Sequence, residues 1–201
     1  NVRGALPRIE TQIFYLAGSI ELGGNLTGIS PIDEAKLFNM SDYIVEGSAE
    51  ALQNTDNSIL LGIGIAKKMA LKIGDRVQIS PINGGIFPLK IVGFYQSGIS
   101  DIDAMQSFTT IKTVQRILGE ANNYITDINV KLYDIKQAVP LSKKIEQQFN
   151  LKAVDIKTAN AQFDTGTSVR NLITYAVSVA LLIVAGFGIY NILNMLIYEK
   201  M

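Results

Sequence analysis

The stretch that decides the fold is Asn171–Tyr198, which reads NLITYAVSVALLIVAGFGIYNILNMLIY. It contains no charged residue, whereas Arg170 precedes it and Glu199 and Lys200 follow it. A bilayer core about 30 Å thick needs roughly 20 mostly apolar residues of α-helix to cross it. The run therefore predicts a transmembrane helix, with its membrane part at about residues 172–198.

Two other interpretations of an apolar run compete with the transmembrane helix. An all-apolar helix can be the central helix of a large soluble protein. A chain of 201 residues offers few other helices to surround it, and this favours the membrane. A secretory signal peptide is excluded by position, because such signals lie at the N-terminus.

Four small or amide-bearing residues in the run are candidate contacts with neighbouring transmembrane helices: Gly186, Gly188, Asn191 and Asn194. Small residues let helices approach closely, and amides form hydrogen bonds between helices. A lone anchor needs neither, so we expect the helix to pack against protein within the membrane. The alternative, ordinary small and polar residues on a lipid-facing helix, stays open.

The composition excludes several classes of function. The chain has 18 Lys and Arg, 18 Asp and Glu, no Cys and no His. A net charge near zero without a local basic run argues against a nucleic-acid surface. Without Cys there is no disulfide framework, thiolate zinc site or thiol catalysis. Without His, the Ser-His-Asp and Cys-His arrangements cannot be built, and no catalytic residue is predicted.

Alternation and turn residues before the apolar run predict a mixed α+β domain. The predicted strands are Arg8–Leu16, Ser19–Leu22, Ile44–Gly47, Ser58–Leu61, Arg76–Ser80, Ile86–Gln96, Ser107–Thr110, Thr126–Leu132 and Leu151–Ile156. The predicted helices are Asp33–Phe38, Gly64–Met69, Ile111–Leu118 and Ile135–Phe149, and loops are predicted at Gly23–Asn25 and Gly98–Asp103. The last strand–helix–strand order, Thr126 to Ile156, is typical of a βαβ unit or of half of a split βαβ.

Two short patterns resemble ligand sites only in part. Gly62-x-Gly64 follows a strand, but the third Gly of a dinucleotide fingerprint would fall at Lys67, so a strand-to-helix turn is predicted instead. Asp101 and Asp103 are spaced as in a calcium loop, but the Gly and the terminal Glu of that loop are missing. We therefore predict a solvated turn there and no metal site.

From Thr158 onward no strong helix breaker precedes the apolar run. The water-side domain is therefore expected to continue into the membrane through a nearly uninterrupted helix. The chain starts without Met and ends at Met201 without a helix stop signal. We expect it to be a fragment of a longer polypeptide.

Three stretches together resemble the MacB/FtsX-like ABC transporter permeases, and especially the lipoprotein-releasing Lol-type permeases. The first is Ser58–Gly62 followed by Ala66, Leu71 and Gly74-Asp75-Arg76-Val77; the second is Ile91–Gly98 with Asp101 or Asp103 and a helix at Thr113–Leu118; the third is Phe187–Lys200. Gly28-Ile29-Ser30-Pro31 also fits the family pattern after the early strands. The order and spacing of these stretches carry the resemblance.

The resemblance implies an α+β periplasmic core domain of the MacB type with two subdomains. Residues 1–29 and 108–158 would form a porter subdomain with βαβ-like order, and residues 30–107 a β-rich sabre subdomain. Residues 159–201 would form a stalk and the second transmembrane helix of the permease.

The resemblance also implies a function by mechanotransmission, in which ATP hydrolysis in the cytoplasm moves periplasmic domains. The chain itself would be no enzyme and hold no cofactor, because ATP and Mg²⁺ would bind a partner ABC ATPase subunit. The other implied partners are a second permease subunit, membrane lipids and a lipoprotein cargo or periplasmic carrier. The implied location is the bacterial inner membrane, with residues before about 170 in the periplasm.

Several alternatives stay open at this point. Lol-type permeases can present a long hook loop to a carrier, but the matching interval here is only Ser80–Pro88, with Gly84-Gly85 at its tip. Other members of the family export substrates or peptides, or activate cell-wall hydrolases. A sensor of a signalling receptor is a different class with the same outline, and a membrane-anchored enzyme is a third, for which no catalytic constellation is visible.

Overall fold

The structure is a computed structural model that describes residues 2–199, with the side chains of residues 160–168 and 198 outside the description. It forms two compact units, Asn1–Tyr133 and Asp134–Met201. The strands of the first unit are β1 (Val2–Ala17), β2 (Ile20–Ile29), β3 (Ile44–Gly47), β4 (Ser58–Gly62), β5 (Arg76–Pro81), β6 (Phe87–Tyr95), β7 (Gln106–Thr110) and β8 (Asp127–Leu132). Its helices are α1 (Pro31–Phe38), α2 (Ala49–Asn54), α3 (Ile63–Met69), α4 (Ser100–Asp103) and α5 (Ile111–Leu118), with a 3-10 turn at Met40–Tyr43.

The second unit contains a 3-10 turn at Ile135–Gln137 and two helices, α6 (Ala138–Phe149) and α7 (Ile156–Glu199). The α7 helix runs without interruption for 44 residues, a length of about 66 Å at 1.5 Å per residue. The predicted continuity of the stalk with the apolar run is therefore confirmed. The α+β fold class is confirmed as well.

Six strands of the first unit close into a barrel. Going round it, β1 pairs with β2, β2 with β7, β7 with β4, β4 with β6, β6 with β5, and β5 with β1. The β2–β7 and β4–β6 pairs are parallel, and the other four are antiparallel. Closure matters because an open sheet exposes unpaired backbone groups at its edges, and a closed barrel has none.

The barrel interior is the hydrophobic core. Ile13 and Tyr15 of β1 alternate inward, in the period-2 pattern that the sequence shows. β4 is buried on both faces: Ile59 and Leu61 join the interior, while Leu60 joins a second cluster outside the barrel. Full burial of one such side chain stabilises the fold by about 1.5–3 kcal/mol, so the barrel is held chiefly by these residues.

A two-stranded ribbon extends from the barrel. The first part of β1, Val2–Arg8, pairs with β8, whereas the rest of the strand, from Ile9, pairs with β2 and β5. We refer to Val2–Arg8 together with β8 as the ribbon. The α1 helix follows β2 directly and packs on the ribbon, since a Cβ atom at Gly4 would lie 2.8 Å from Leu37 Cδ2.

Some sequence predictions for the first unit are wrong. Gly23–Asn25, predicted as a loop, lie within β2, because β1 and β7 supply hydrogen-bond partners to this glycine-containing segment. The predicted loop Gly98–Asp103 contains the short helix α4, which starts at Ser100. The helix α2 was not predicted; the Ser48 hydroxyl caps it by accepting from Ala51 N at 3.1 Å.

The predicted strand Leu151–Ile156 is also wrong. Asn150 ends α6 in the left-handed conformation, and residues 151–155 form no ladder with any strand in the described part of the chain. Asp155 then starts α7, because its carboxylate accepts hydrogen bonds from the backbone N of Lys157 and Thr158. The predicted βαβ unit therefore lacks its second strand.

The boundaries of the predicted porter and sabre subdomains stay a prediction. The barrel contains most of β1 and all of β2, which the prediction assigns to the porter, together with β4–β6 of the predicted sabre. β7 crosses the predicted boundary at residues 107 and 108. One continuous set of strands thus carries both predicted parts.

Candidate membrane-spanning helix and loop sites

The α7 helix contains one candidate membrane span, Val169–Ile197, which is 29 residues long. At 1.5 Å per residue it extends over about 43 Å, more than a bilayer core of about 30 Å requires. None of its most apolar window is buried within the chain. The central helix of a soluble protein is mostly buried, so this exposure favours the membrane span.

The hydroxyl groups of Thr174 and Ser178 in the span are satisfied within the helix. Thr174 Oγ1 donates to the carbonyl oxygen of Arg170 at 2.9 Å, and Ser178 Oγ donates to that of Thr174 at 2.8 Å. Bonds of this kind, four residues back, let Ser and Thr lie in a helix without an outside partner. These two residues therefore do not require a neighbouring helix.

The four predicted helix contacts differ from Thr174 and Ser178. Among the residues that the structure describes, the amides of Asn191 and Asn194 have no hydrogen-bond partner. No atom outside the helix backbone lies within 4 Å of a Cβ placed at Gly186 or Gly188. At 100° per residue the four residues spread over an arc of about 200°, so the helix does not bring them onto one face. Their role as contacts stays a prediction.

A shallow apolar groove on α7 includes one of these residues. Its lining is Ile183, Gly186, Phe187 and Tyr190. Asn194 follows Tyr190 by one turn and lies about 80° from Gly186 around the helix axis. Gly186 and Asn194 therefore lie on the side of the groove, whereas Gly188 points away from it.

The Gly62-x-Gly64 pattern has a packing explanation. A Cβ atom at Gly62 would lie 2.4 Å from the carbonyl oxygen of Asp103, and one at Gly64 would lie 2.8 Å from the same oxygen. Any side chain at either position would collide with backbone. The glycines thus permit the start of α3 to pack against α4, as expected of a strand-to-helix turn.

Asp103 fixes the loop at Ser97 and Gly98. Its carboxylate accepts from Ser97 N at 2.6 Å, from Ser97 Oγ at 2.8 Å and from Gly98 N at 3.2 Å. Burial raises the pKa of Tyr95, and the negative charge of Asp103 raises it further. Among the described residues no group of three or more His, Cys, Asp or Glu is placed to hold a metal ion.

The interval that resembles the hook position is a tight hairpin between β5 and β6. Gly84 and Gly85 both have positive φ, at 92° and 91°, a conformation that glycine adopts without strain. Ile82 is 71% exposed and Ile86 is 61% exposed. The hairpin tip therefore presents two apolar side chains to solvent on a loop that has no charged residue.

The sequence analysis missed an ion pair at the base of the ribbon. Arg8 Nε donates to Glu34 Oε1 at 2.7 Å, and Arg8 Nη2 donates to Glu34 Oε2 at 2.8 Å. The side chain of Glu34 is 2% exposed and that of Arg8 is 19% exposed. The two residues are 26 positions apart, so no local pattern indicates the pair.

The chain combines an α+β barrel domain with a candidate membrane span, and these two features can be compared with known protein families. Residues 2–148 match the model of one family, the MacB-like periplasmic core domain. Since the match covers well over half of the chain, the protein belongs to the MacB-like periplasmic core domain family. The resemblance to the MacB/FtsX-like permeases, predicted from the order of motifs, is confirmed.

Individual relatives agree with this family. The lipoprotein-releasing system transmembrane protein LolC of Neisseria meningitidis serogroup B is 23% identical over 212 residues, covering 99% of this chain and 51% of that protein. A protein of the same name from Xylella fastidiosa strain Temecula1 is 25% identical, covering 74% of this chain and 38% of that protein. The chain thus spans about half the length of the first of these relatives.

Similarity to a solved structure supports the fold. The periplasmic region of MacB from Actinobacillus actinomycetemcomitans aligns with a TM-score of 0.52 at 12% identity. The alignment covers 81% of this chain and 76% of that one. At this identity the likeness concerns the fold alone.

Proposed function

We propose that the chain is the periplasmic core domain and one transmembrane helix of an ABC transporter permease that works by mechanotransmission. The observation that carries the proposal is the uninterrupted α7 helix, which contains the candidate span Val169–Ile197 and, before it, residues 156–168. A continuous helix can pass a displacement along its axis, because its backbone hydrogen bonds resist stretching. Movement at its cytoplasmic end would thus reach the periplasmic side.

ATP hydrolysis is assigned to a partner subunit, which would bind ATP and Mg²⁺, and the chain itself is proposed to be no enzyme. The test is co-purification of the full-length protein with an ABC ATPase subunit, followed by measurement of ATPase activity in lipid nanodiscs. The expected result is a stable complex whose activity depends on the permease. Failure to associate with any such subunit would contradict the proposal and favour the sensor alternative.

The proposed location is the bacterial inner membrane, with residues before about 170 in the periplasm. The chain has no Cys, so single cysteines report their own position. A membrane-impermeant maleimide should label Ser19→Cys in intact spheroplasts, because Ser19 is exposed in the first unit. Glu199→Cys, beyond the span, should be labelled only after permeabilisation. The opposite pattern would reverse the proposed orientation.

The proposed process is lipoprotein release, supported by the names of the relatives. The test is release of a radiolabelled lipoprotein from proteoliposomes that contain the full permease, a second permease subunit and the ATPase. Expected is ATP-dependent release into the soluble fraction when a periplasmic carrier is present. Release of no lipoprotein, with activation of a cell-wall hydrolase or export of another substrate, would assign the permease to another branch of the family.

Carrier docking is proposed at the β5–β6 hairpin, since Ile82 and Ile86 are the exposed apolar side chains at its tip. The variant Ile82→Asp/Ile86→Asp is expected to lower release without changing ATPase activity. Glu21→Gln, an exposed position in β2, is the control. Unchanged release in the double variant would show that the short hairpin does not contact the carrier.

A further inference from the structure

The ion pair between Arg8 and Glu34 lies where β1 changes its partners. Arg8 is the last residue of β1 that pairs with β8, opposite Asp127, and the next residue already pairs with β2. The backbone is tied at the same place, since Thr126 N donates to the carbonyl oxygen of Arg8 at 3.0 Å. The pair therefore occupies the point at which the ribbon joins the barrel.

The Arg8 side chain is held by groups from two elements, α1 and β8. Besides its two bonds to Glu34 on α1, its Nη1 donates to the side-chain oxygen of Asn129 on β8 at 2.6 Å, with the amide oriented to face the guanidinium. The guanidinium also lies over the ring of Phe38, 5.3 Å from the centroid. A planar guanidinium with two parallel bonds to a carboxylate fixes orientation as well as distance.

The α1 helix contacts the ribbon through one face. Glu34, Leu37 and Phe38 are three and four residues apart, so they lie on the same side of the helix. Leu37 contacts the ribbon at Gly4, and Lys131 of β8 places its Nζ 5.5 Å from the Phe38 ring centroid. α1 begins directly after the barrel strand β2, so it connects the barrel to the ribbon.

The ribbon needs such support. A two-stranded ribbon is marginally stable in water on its own, and only one of its faces is covered by α1. On the other face Ile128 is 57% exposed and Val130 is 38% exposed. Among the residues that the structure describes, Arg8–Glu34 is the sole ion pair within 4 Å. A partly buried pair of this kind adds little net stability over apolar replacements, but its two parallel hydrogen bonds restrict the orientation of the groups that they join.

We propose that Arg8 and Glu34 form a rigid joint that holds the ribbon in one orientation against the barrel. β8 ends at Leu132, next to the boundary of the second unit at Asp134. α7 is linked to β8 along the chain through α6, so we take β8 as the covalent path by which a displacement of α7 would reach the first unit. With the joint intact, the ribbon passes the displacement to the barrel as a rigid-body motion. Without it, the displacement is lost as bending at Arg8.

The rigidity is tested directly by a distance measurement in the full-length permease. Spin labels are attached at Ile128→Cys on β8 and Gln78→Cys on β5, both of which are exposed. Pulsed electron resonance should give one narrow distance distribution in the parent protein. Glu34→Gln removes the charge at nearly constant volume and should broaden the distribution. Arg8→Lys keeps the charge, loses the two parallel bonds and should broaden it less.

Asp33→Asn is the matched control for the distance measurement. Asp33 is the neighbour of Glu34 on α1, is exposed, and accepts a hydrogen bond from Ser30 Oγ, which Asn can retain. Its distribution should match that of the parent. A narrow and unshifted distance distribution in both Glu34→Gln and Arg8→Lys would contradict the proposal that this pair holds the ribbon rigid.

The coupling role rests on the proposed function and is tested separately. In the reconstituted complex, Glu34→Gln should lower the amount of lipoprotein released per ATP hydrolysed severalfold, with the ATPase rate nearly unchanged. A broadened distance with unchanged release per ATP would overturn the coupling role. Failure of the parent protein to bind an ATPase would instead contradict the proposed function. The distance measurement would then still decide whether the Arg8–Glu34 pair holds the ribbon in one orientation.

Discussion

The barrel and the α7 helix are both rich in apolar residues, but these residues are removed from water in different ways. Ile59, Leu60 and Leu61 of β4 are fully buried within the chain. In α7, Leu182 is 72% exposed and Val184 is 68% exposed. Apolar surface of this extent is stable only when removed from water. The barrel carries its own apolar environment, whereas α7 depends on one supplied by lipid or by other protein.

The hydroxyl groups of the two regions also differ in how far along the chain their hydrogen-bond partners lie. In the barrel the Tyr15 hydroxyl lies 2.6 Å from Ser107 Oγ, and the two residues are 92 positions apart. In α7 the Ser178 hydroxyl donates to a carbonyl only four positions back. The Tyr15 hydroxyl is therefore satisfied by the tertiary fold, whereas the Ser178 hydroxyl is satisfied by secondary structure. Substitutions at matched positions should separate the two cases.

The largest expected effect is the loss of a core side chain from the barrel. Leu61→Ala leaves a cavity in a fully buried strand, and such changes cost about 2–5 kcal/mol. Leu182→Ala on α7 removes the same atoms from an exposed position. We expect the free energy of opening at β4 amides, measured by hydrogen exchange of the full chain in detergent, to fall only in Leu61→Ala. Equal losses in the two variants would contradict the comparison.

An introduced charge should have the reverse effect: it should disturb α7 and leave an exposed position of the first unit unaffected. Leu182→Arg places a charge in the middle of the candidate span, which makes insertion less favourable by about 2.5–3.5 kcal/mol. Ile82→Arg changes a side chain that is equally exposed, 71% against 72%, but on the β5–β6 hairpin. Insertion measured with glycosylation-site reporters should fall in Leu182→Arg and stay unchanged in Ile82→Arg. A similar response of the two variants would show that α7 is not a membrane span.

Removing one buried hydroxyl should have a smaller effect. Tyr15→Phe loses the hydrogen bond to Ser107, which keeps the carbonyl oxygen of Asn25 as a partner at 3.3 Å. The expected loss of stability at neutral pH is about 1 kcal/mol, measured by urea unfolding followed by circular dichroism.

The same tyrosine predicts a dependence on alkaline pH. Burial raises the pKa of Tyr15 above its ordinary value of 10.0. Between the ordinary and the raised pKa the unfolded chain releases a proton that the folded chain keeps, so stability falls as the pH rises above about 10. Stability should therefore decline less steeply in Tyr15→Phe than in the parent protein. Parallel declines would indicate that Tyr15 does not contribute.

The smallest expected effect concerns the first turn of α7. Hydrogen bonds from Thr158 to the Asp155 carboxylate lower the pKa of Asp155 below its ordinary value of 3.8. The cap is therefore present at neutral pH and is lost as the pH falls through the lowered pKa. Asp155→Ala should speed hydrogen exchange at Lys157 and Thr158. Asp134→Ala, which removes a similar bond to Lys136 N, should leave that exchange unchanged.

The sequence predicts the elements of the fold where the signal is local. Alternation located β8, turn residues followed by a short apolar run located β4, and the long apolar run located the candidate span. Closure of the barrel was not predicted, because the parallel pairs β2–β7 and β4–β6 join segments far apart in the chain. Gly23–Asn25 was predicted as a loop, since a Gly-Gly pair favours a turn, and pairing with neighbouring strands overrides that preference.

The candidate sites, too, could be predicted only where the sequence signal is local. Gly186 and Asn194 were predicted as helix contacts because a polar or small residue stands out within an apolar run, and that role stays a prediction. The Arg8–Glu34 pair could not, because each residue alone fits an ordinary position in a strand or in the first turn of a helix. A strand at Leu151–Ile156 was predicted from side-chain type, but a strand also needs a partner, and the capping bonds of Asp155 start a helix there instead.

The shared strand β1 has a consequence for the way the first unit bears force. Its ladders to β2, β5 and β8 all run along the strand. A pull along β1 loads these hydrogen bonds in shear, so that many must break together. A pull across the strand would instead unzip them one after another. The first unit should therefore yield in one step at high force when stretched along β1, and gradually at low force when β8 is peeled from its edge.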